Sequence, residues 1–242
     1  MRMQSTDPGA AENGSVPSHI RAALFDVDGT LTAGSGPWKP LLRSPDVPPA
    51  TKGWLYATAM PHYLLSKGRL LNQAGFRDRW VRLMAWLMTG WPSPAVEAMY
   101  REIVYSQLVP DLRPDVVGIL REHREQGHYV VLVSTMFAGV VQELAQFLSA
   151  HAGLGSRVAM RDGRCLGAID GPTCSGARKL EFVRDHLEDV AGQVVLADCA
   201  AYADSRADVP LLSGVGHPVA VYPDSAMRSQ AQARGWRIFD GA

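Results

Sequence analysis

The chain has 242 residues, 47% of them hydrophobic, and carries 24 Lys plus Arg against 24 Asp plus Glu. That length suits one large α/β domain or a core with an inserted smaller domain, and the apolar fraction is enough for a sizeable core. Balanced charge offers no global field to attract nucleic acid or an anionic membrane, and no run of about 18 apolar residues is present to span a bilayer as a helix.

Residues 1–19, MRMQSTDPGAAENGSVPSH, are small, polar and proline-containing, without the apolar core of a signal peptide, and are expected to form a disordered tail. Residues 22–25 are apolar and predict a short strand buried on both faces. It ends in Asp26 and Asp28, two residues apart, followed by the turn former Gly29. In an extended segment, residues two apart face the same side, so both carboxylates can meet one ligand. A carboxylate there is costly unless a cation or hydrogen bonds hold it. D-x-D-G also occurs in plain turns and calcium loops, so this stretch alone leaves its role open.

A Gly- and Pro-rich passage, AGSGPWKPLLRSPDVPPA, follows Thr32. From about residue 50 to residue 109 the apolar residues recur at helical spacing. Trp54, Leu55, Met60, Tyr63, Leu64 and Leu65 come first, then WVRLMAWLMTGW over 80–91, then a helix starting at Ser93 or Pro94. Three or four helices are expected, with no strand among them. Residues 35–109 thus read as a helical insertion, a cap, inside a core made of 20–34 and 110–242.

Beyond Pro114, strands and helices alternate. A helix is expected over 115–126, a strand over 128–135, a helix over 137–150 and a hairpin over 157–169 turning at Asp162-Gly163. A helix over 177–189, a strand QVVLADC, a short helix near 206–213, a strand at 215–221, a helix at 225–234 and a strand at 236–239 complete the chain. This grammar predicts a Rossmann-like, mostly parallel sheet with helices on both faces. In such sheets the carboxyl ends of the strands form the site.

Those ends carry chemistry. The first strand supplies Asp26 and Asp28, VVLV supplies Ser134 and then Thr135, and VVLA supplies Asp198, with Asp204 and Asp208 in the following YADSRAD. Lys179 opens the helix after the hairpin, where a cation opposes the helix dipole unless it has other business. Carboxylates suit a hard cation such as Mg²⁺. A hydroxyl and an ammonium beside it suit phosphoryl oxygens. Blander roles exist: Ser134 can cap the next helix, Lys179 can be solvated, and Asp198 reads as structural. Arg77, Arg79 and Arg82 read as a solvated face, although one of them can reach a substrate anion. The histidines and the three cysteines show no ligand spacing, and the cysteines read as reduced packing residues of a cytoplasmic protein.

DVDGTLT, the Ser after VVLV, the Lys of SGARKLEF and YADSRADVPLL together resemble, in order, the four motifs of the haloacid dehalogenase superfamily. The likeness is greatest to its phosphoserine-phosphatase-like branch and covers residues 21–34 and 110–240. The resemblance implies a phosphatase for a small phosphate monoester. Asp26 would be the nucleophile, forming an aspartyl-phosphate, and Asp28 the general acid and then the base. Ser134 and Lys179 would hold the phosphoryl oxygens. Asp26, the backbone carbonyl of Asp28, and Asp204 would ligate Mg²⁺, with Asp208 as ligand or support. Alternatives are a phosphotransferase or mutase using the same intermediate, and a silent member binding a phosphorylated ligand. Dehalogenation is disfavoured because it does not need Asp28.

The chain departs from phosphoserine phosphatases in having no acid in AGSGPWKP, Ala207 in place of an Asn, Ala203 in place of a Gly, and Tyr222 in place of an Asn. These departures touch the substrate rather than the chemistry. A less polar monophosphate than phosphoserine is expected.

Overall fold

The computed structural model describes residues 22–34, 36–67, 73–191 and 195–241. The expected tail and Arg69 lie outside them, as do the side chains of Met60, Tyr63, Leu64 and Leu65. Strand β1 (Ala22–Asp26) is followed by helices α1 (Lys39–Arg43), α2 (Pro49–Lys67), α3 (Gln73–Leu87) and α4 (Ser93–Ile103). A π turn at Val104–Leu108 and a 3₁₀ turn at Val109–Asp111 lead to α5 (Pro114–Glu125). Then come β2 (Tyr129–Phe137), α6 (Ala138–Phe147), β3 (Ala152–Ser156), and the hairpin β4 (Val158–Arg161) and β5 (Arg164–Ile169). The chain continues through α7 (Arg178–Ala191), β6 (Cys199–Ala203), α8 (Val209–Ser213), β7 (His217–Val221), α9 (Ser225–Arg234) and β8 (Arg237–Phe239). Among the described residues no helix is long and apolar enough to cross a membrane.

Six strands form one parallel sheet in the order β3-β2-β1-β6-β7-β8. The strand order therefore reverses at β1, and the crevice for a ligand opens at the carboxyl ends of β1 and its neighbours. The period-two alternation of strands separates two cores. Ala23, Phe25, Val130, Leu132 and Tyr202 pack with α5 and α6. Ala22, Leu24, Val131, Val133 and Ala201 pack on the other face with α7, α8 and α9. Asp26 has the parity of Ala22 and Leu24, which directs it to the face that carries α7.

Local sequence explains the elements. Gly127, at φ +76°, ends α5 as a left-handed residue. At α9, Asp224 accepts a hydrogen bond from Met227 N at 2.6 Å and Gly235 closes the far end at φ +66°. Two expectations move. Strand β3, AGLGS, has little strand propensity; it exists because its glycines let α6 lie against it. A Cβ on Gly153 would come within 2.5 Å of Val141 O, and one on Gly155 within 2.9 Å of Ala138 Cα. The strand expected over QVVLADC falls later. Leu196–Asp198 is a 3₁₀ turn and Cys199–Ala203 is the strand, with Ala22–Phe25 opposite Cys199–Tyr202. Asp198 therefore precedes β6 instead of standing at its carboxyl end.

The hairpin packs on the helices that follow β1 and stays outside the six-stranded sheet. Gly90 N donates to Cys165 O and Cys165 N to Trp91 O, each at 2.8 Å, so the α3–α4 turn extends β5. A Cβ on Gly167 would overlap Thr89. On the other side, Gly139 of α6 gives way to the ring of Tyr100 from α4. The apolar stripe of α3 is core: Val81, Met84, Ala85, Leu87 and Met88 are buried, while Trp86 stays 37% exposed.

Candidate active site at the carboxyl edge

Asp26 closes β1, opposite Val133 of β2, and Asp204 directly follows β6, so both stand at the same edge next to the switch in strand order. Asp208 is held nearby by the 3₁₀ turn Arg206–Asp208. Oxygens of Asp26, Asp204 and Asp208 lie within 4.8 Å of one another, the one such group of potential metal ligands among the described residues. Lys179, in the first turn of α7, is 2% exposed. Its Nζ sits 2.5 Å from Asp26 Oδ1 and 2.6 Å from Asp208 Oδ1. A buried ammonium shared by two carboxylates explains a lysine at a helix start: ion pairing outweighs the unfavourable dipole.

Thr30 ties the loop together, donating from Oγ1 to Asp26 Oδ2 at 3.0 Å, with Asp204 Oδ1 at 3.2 Å. Gly29 lies at φ +96°, where a Cβ would overlap the Asp204 carboxylate. Glycine is thus required twice, for the backbone angle and for the approach of Asp204. Asp28 is half-buried beyond β1. Ser134, 2% exposed, is one residue past the partner of Asp26 in β2, and its Oγ accepts from Met136 N at 3.3 Å.

The electrostatics are those of crowded carboxylates. Burial pushes the Asp26 carboxyl up; Lys179 pulls it back and Asp208 pushes it up again. Burial followed by Asp26 raises Asp28. Burial, Asp26 and Asp208 push Asp204 up to about 8. Burial alone would lower Lys179, but Asp208 and Asp26 hold it above the usual lysine range. When ionised, these four carboxylates against Lys179 and one arginine leave the edge two charges negative, which one divalent cation balances. The donor set is all hard oxygen, and so fits Mg²⁺.

That arginine is Arg77 of α3. Its Nη1 donates to Ser205 Oγ at 3.1 Å and lies 4.0 Å from Asp208 Oδ2. Burial works against its charge, and Asp208, Asp26, Asp204 and Asp28 more than offset this. The solvated-face reading therefore fails for Arg77, while the exposed Arg82 of the same helix pairs with the half-buried Asp78. Nothing in the sequence singles Arg77 out among its neighbours. Thr30, four residues after Asp26, had a local signal in its place within the DVDGT run.

Comparison with known proteins places the chain at the level of family and fold. The model of the haloacid dehalogenase-like hydrolases matches residues 23–213. The chain is 31% identical to the "Inhibition of morphological differentiation protein" of Streptomyces azureus over 95% of its own length and 80% of the relative's. It is 30% identical to the phosphoserine phosphatase SerB1 of Mycobacterium tuberculosis over 90% of its own length and 70% of that protein's. A crystal structure of a protein of unknown function from Bordetella pertussis Tohama I is similar with a TM-score of 0.76 at 28% identity, covering 91% of this chain and 98% of that one.

Proposed function

The chain belongs to the haloacid dehalogenase-like hydrolases, and from that premise we propose a Mg²⁺-dependent phosphatase that cleaves a small organic phosphate monoester through an aspartyl-phosphate on Asp26. The observation that carries the reading is the ammonium of Lys179 fixed between Asp26 and Asp208, with Asp204 alongside. A carboxylate attacking a dianionic phosphoryl group needs cations to cancel the repulsion. Asp26, the backbone carbonyl of Asp28, and Asp204 would hold Mg²⁺, with Asp208 as ligand or support, and the ion when bound would neutralise charge on the phosphoryl oxygens.

In this reading Asp26 attacks phosphorus, forming the bond from its carboxylate oxygen as the bond to the leaving oxygen breaks. Asp28 gives its proton to that oxygen. Its raised pKa, set by burial and by Asp26, favours the protonated state a general acid needs. Asp28 then takes a proton from water, whose oxygen attacks phosphorus, releasing inorganic phosphate and restoring Asp26. Ser134 and Lys179 donate to the phosphoryl oxygens throughout.

The helices between β1 and β2, residues 35–109, act as the cap that selects the leaving alcohol. Trp38, in the segment that lacks an acid, packs edge-on against Phe137 at the end of β2, with ring centroids 4.8 Å apart. Such surroundings support a monophosphate less polar than phosphoserine, because an ammonium there would lose its water without a partner. One observation favours a second reading, phosphoserine itself: the 30% identity to the phosphoserine phosphatase SerB1 of Mycobacterium tuberculosis.

Phosphate release from p-nitrophenyl phosphate, then from a panel of phosphorylated metabolites, tests both. The expected result is Mg²⁺-dependent release and a lower kcat/KM for phosphoserine than for larger apolar monophosphates. No release from any ester overturns the function. Phosphoserine as the best substrate overturns the first substrate reading and supports the second.

A further inference from the structure

Two consecutive residues of α3 fasten onto two different core loops, and both loops carry groups of the acidic site. Arg77 donates to Ser205, which donates from Oγ to Asp208 Oδ2 at 2.8 Å. Asp208 then meets Lys179 at 2.6 Å, and Lys179 meets Asp26 at 2.5 Å. This is an unbroken chain of polar contacts from α3 to the end of β1, in which the neutral Ser205 hydroxyl stands between Arg77 and the charges of Asp208, Lys179 and Asp26. One position further along α3, Asp78 accepts from the fully buried Thr173. Thr173 opens the loop that leads into α7, where Lys179 N donates to Gly176 O at 3.2 Å. The same loop is tied to β2, because Cys174 N donates to Ser156 Oγ and Ser156 Oγ to Thr135 O.

The chemistry of the chain gives it a direction. Asp208 is fully buried, and both of its oxygens are engaged by polar groups. Its position fixes which way Lys179 leans. Lys179 has four rotatable carbon bonds and no shape of its own. Its Nζ is shared between Asp26 and Asp208, so a displaced Asp208 would leave it one of its two ion pairs. Ser205 is free to rotate about its hydroxyl, so its orientation depends on the donor behind it, which is Arg77.

We propose that Arg77 is a positioning residue: seated from α3, it orients Ser205 and Asp208, and through them holds Lys179 on Asp26, while Asp78 on Thr173 fixes the same turn of α3 to the loop before Lys179. The edge of the sheet is complete only when the insertion is seated. The proposal rests on the reading of Asp26 as the nucleophile. It assigns Arg77 no contact with substrate, which separates it from an arginine that merely attracts an anion.

The test is a double-mutant cycle on the full chain with Arg77→Gln, Ser205→Ala and their combination, with Thr173→Val beside it. Two readouts are taken. Amide hydrogen exchange along α3, without substrate or metal, reports seating alone. kcat and KM for p-nitrophenyl phosphate at saturating Mg²⁺ report the consequence. Loss of a charge-assisted hydrogen bond predicts about a tenfold faster exchange in α3 for Arg77→Gln. Thr173→Val gives a rise of the same kind. kcat falls about tenfold in Arg77→Gln and in Ser205→Ala with KM little changed, and the double variant is no worse than the Arg77 single. Arg77→Lys recovers part of the loss, since an ammonium supplies the charge without the planar fork. A rise in KM alone, strictly additive losses, or unchanged exchange in α3 overturns the proposal. A wild-type protein that releases no phosphate overturns the catalytic reading instead, and the exchange arm still decides the clasp.

Discussion

Asp26→Asn keeps the shape of the side chain and removes the carboxylate we propose as nucleophile. We expect phosphate release to fall on the order of a thousandfold or more with the fold intact, read by steady-state assay and circular dichroism. Gly29→Ala does different damage. Its methyl meets the Asp204 carboxylate and the backbone at φ +96° resists any Cβ. Displacing a ligand by about an ångström costs on the order of a hundredfold in rate. The variant should also lose the rise in melting temperature that Mg²⁺ gives the wild type, and an unchanged rise would contradict the role assigned to Gly29. Asp26, Asp204, Asp208 and Lys179, which the fold brings together, could be singled out in the sequence because a carboxylate at a strand end or a lysine at a helix start is costly without a partner. Arg77 could not. Several arginines share its stretch, and which one meets Ser205 depends on how α3 is seated, information that belongs to tertiary packing.

At the scale of elements, two contacts predict outcomes against simple propensity. Alanine in place of a helical glycine ordinarily stabilises by about 1 kcal/mol. Gly139→Ala should instead destabilise by about 1–3 kcal/mol, because its methyl falls within the Tyr100 ring and the α4–α6 packing must open. Urea denaturation of the pair of proteins measures the sign. The second case is a buried polar pair. His123 and His128 face each other through their Nδ1 atoms at 2.9 Å, and His123 Nε2 meets Tyr202 OH at 2.8 Å. Tyr202 stacks on Phe25, next to Asp26. Burial first and His128 second push His123 down to about 4. The unfolded chain therefore binds a proton near pH 6.5 that the folded one refuses until about pH 4. Stability from this group is full above that upper value and declines as pH falls, by up to about 1.4 kcal/mol per unit. Melting temperature should drop less steeply between pH 6.5 and 4 in His123→Gln than in the wild type; equal slopes would contradict this.

The same scale shows why some elements escape sequence reading. Strand β3 is Gly-Ala-rich, and only the close approach of α6 makes it a strand. Strand β6 is Cys199–Ala203 because those small residues pair with β1, while the more β-prone Val195 is 55% exposed. The histidine pair is brought together by the turn at Gly127, five residues being too short a separation for any periodicity to flag it.

At the scale of the whole molecule, Asp26, Asp204 and Asp208 crowd one edge of the sheet, and α3, one of the helices between β1 and β2, brings the cation of Arg77 to it. Excess chelator should abolish phosphate release, Mg²⁺ should restore it and Ca²⁺ should not, since its longer bonds and higher coordination number would misplace Asp26. Mg²⁺ should also raise the melting temperature of the wild type but not of Asp204→Asn, a readout that does not depend on turnover. Full activity in chelator would contradict a metal-dependent site.

The central claim is that the phosphoryl group passes through Asp26. Asp28→Asn removes the carboxyl we propose as acid and base while leaving Asp26 in place, so the intermediate should form slowly and break down more slowly still. The direct measurement is mass spectrometry of this variant, acid-quenched during turnover with Mg²⁺ and a phosphate monoester, with the modified peptide sequenced. The account predicts one phosphoryl group on the peptide containing Asp26, absent when Asp26 is also changed to Asn. Turnover by the wild type, with the variant carrying its phosphoryl group on another residue or persisting at the wild-type rate with none, would contradict it.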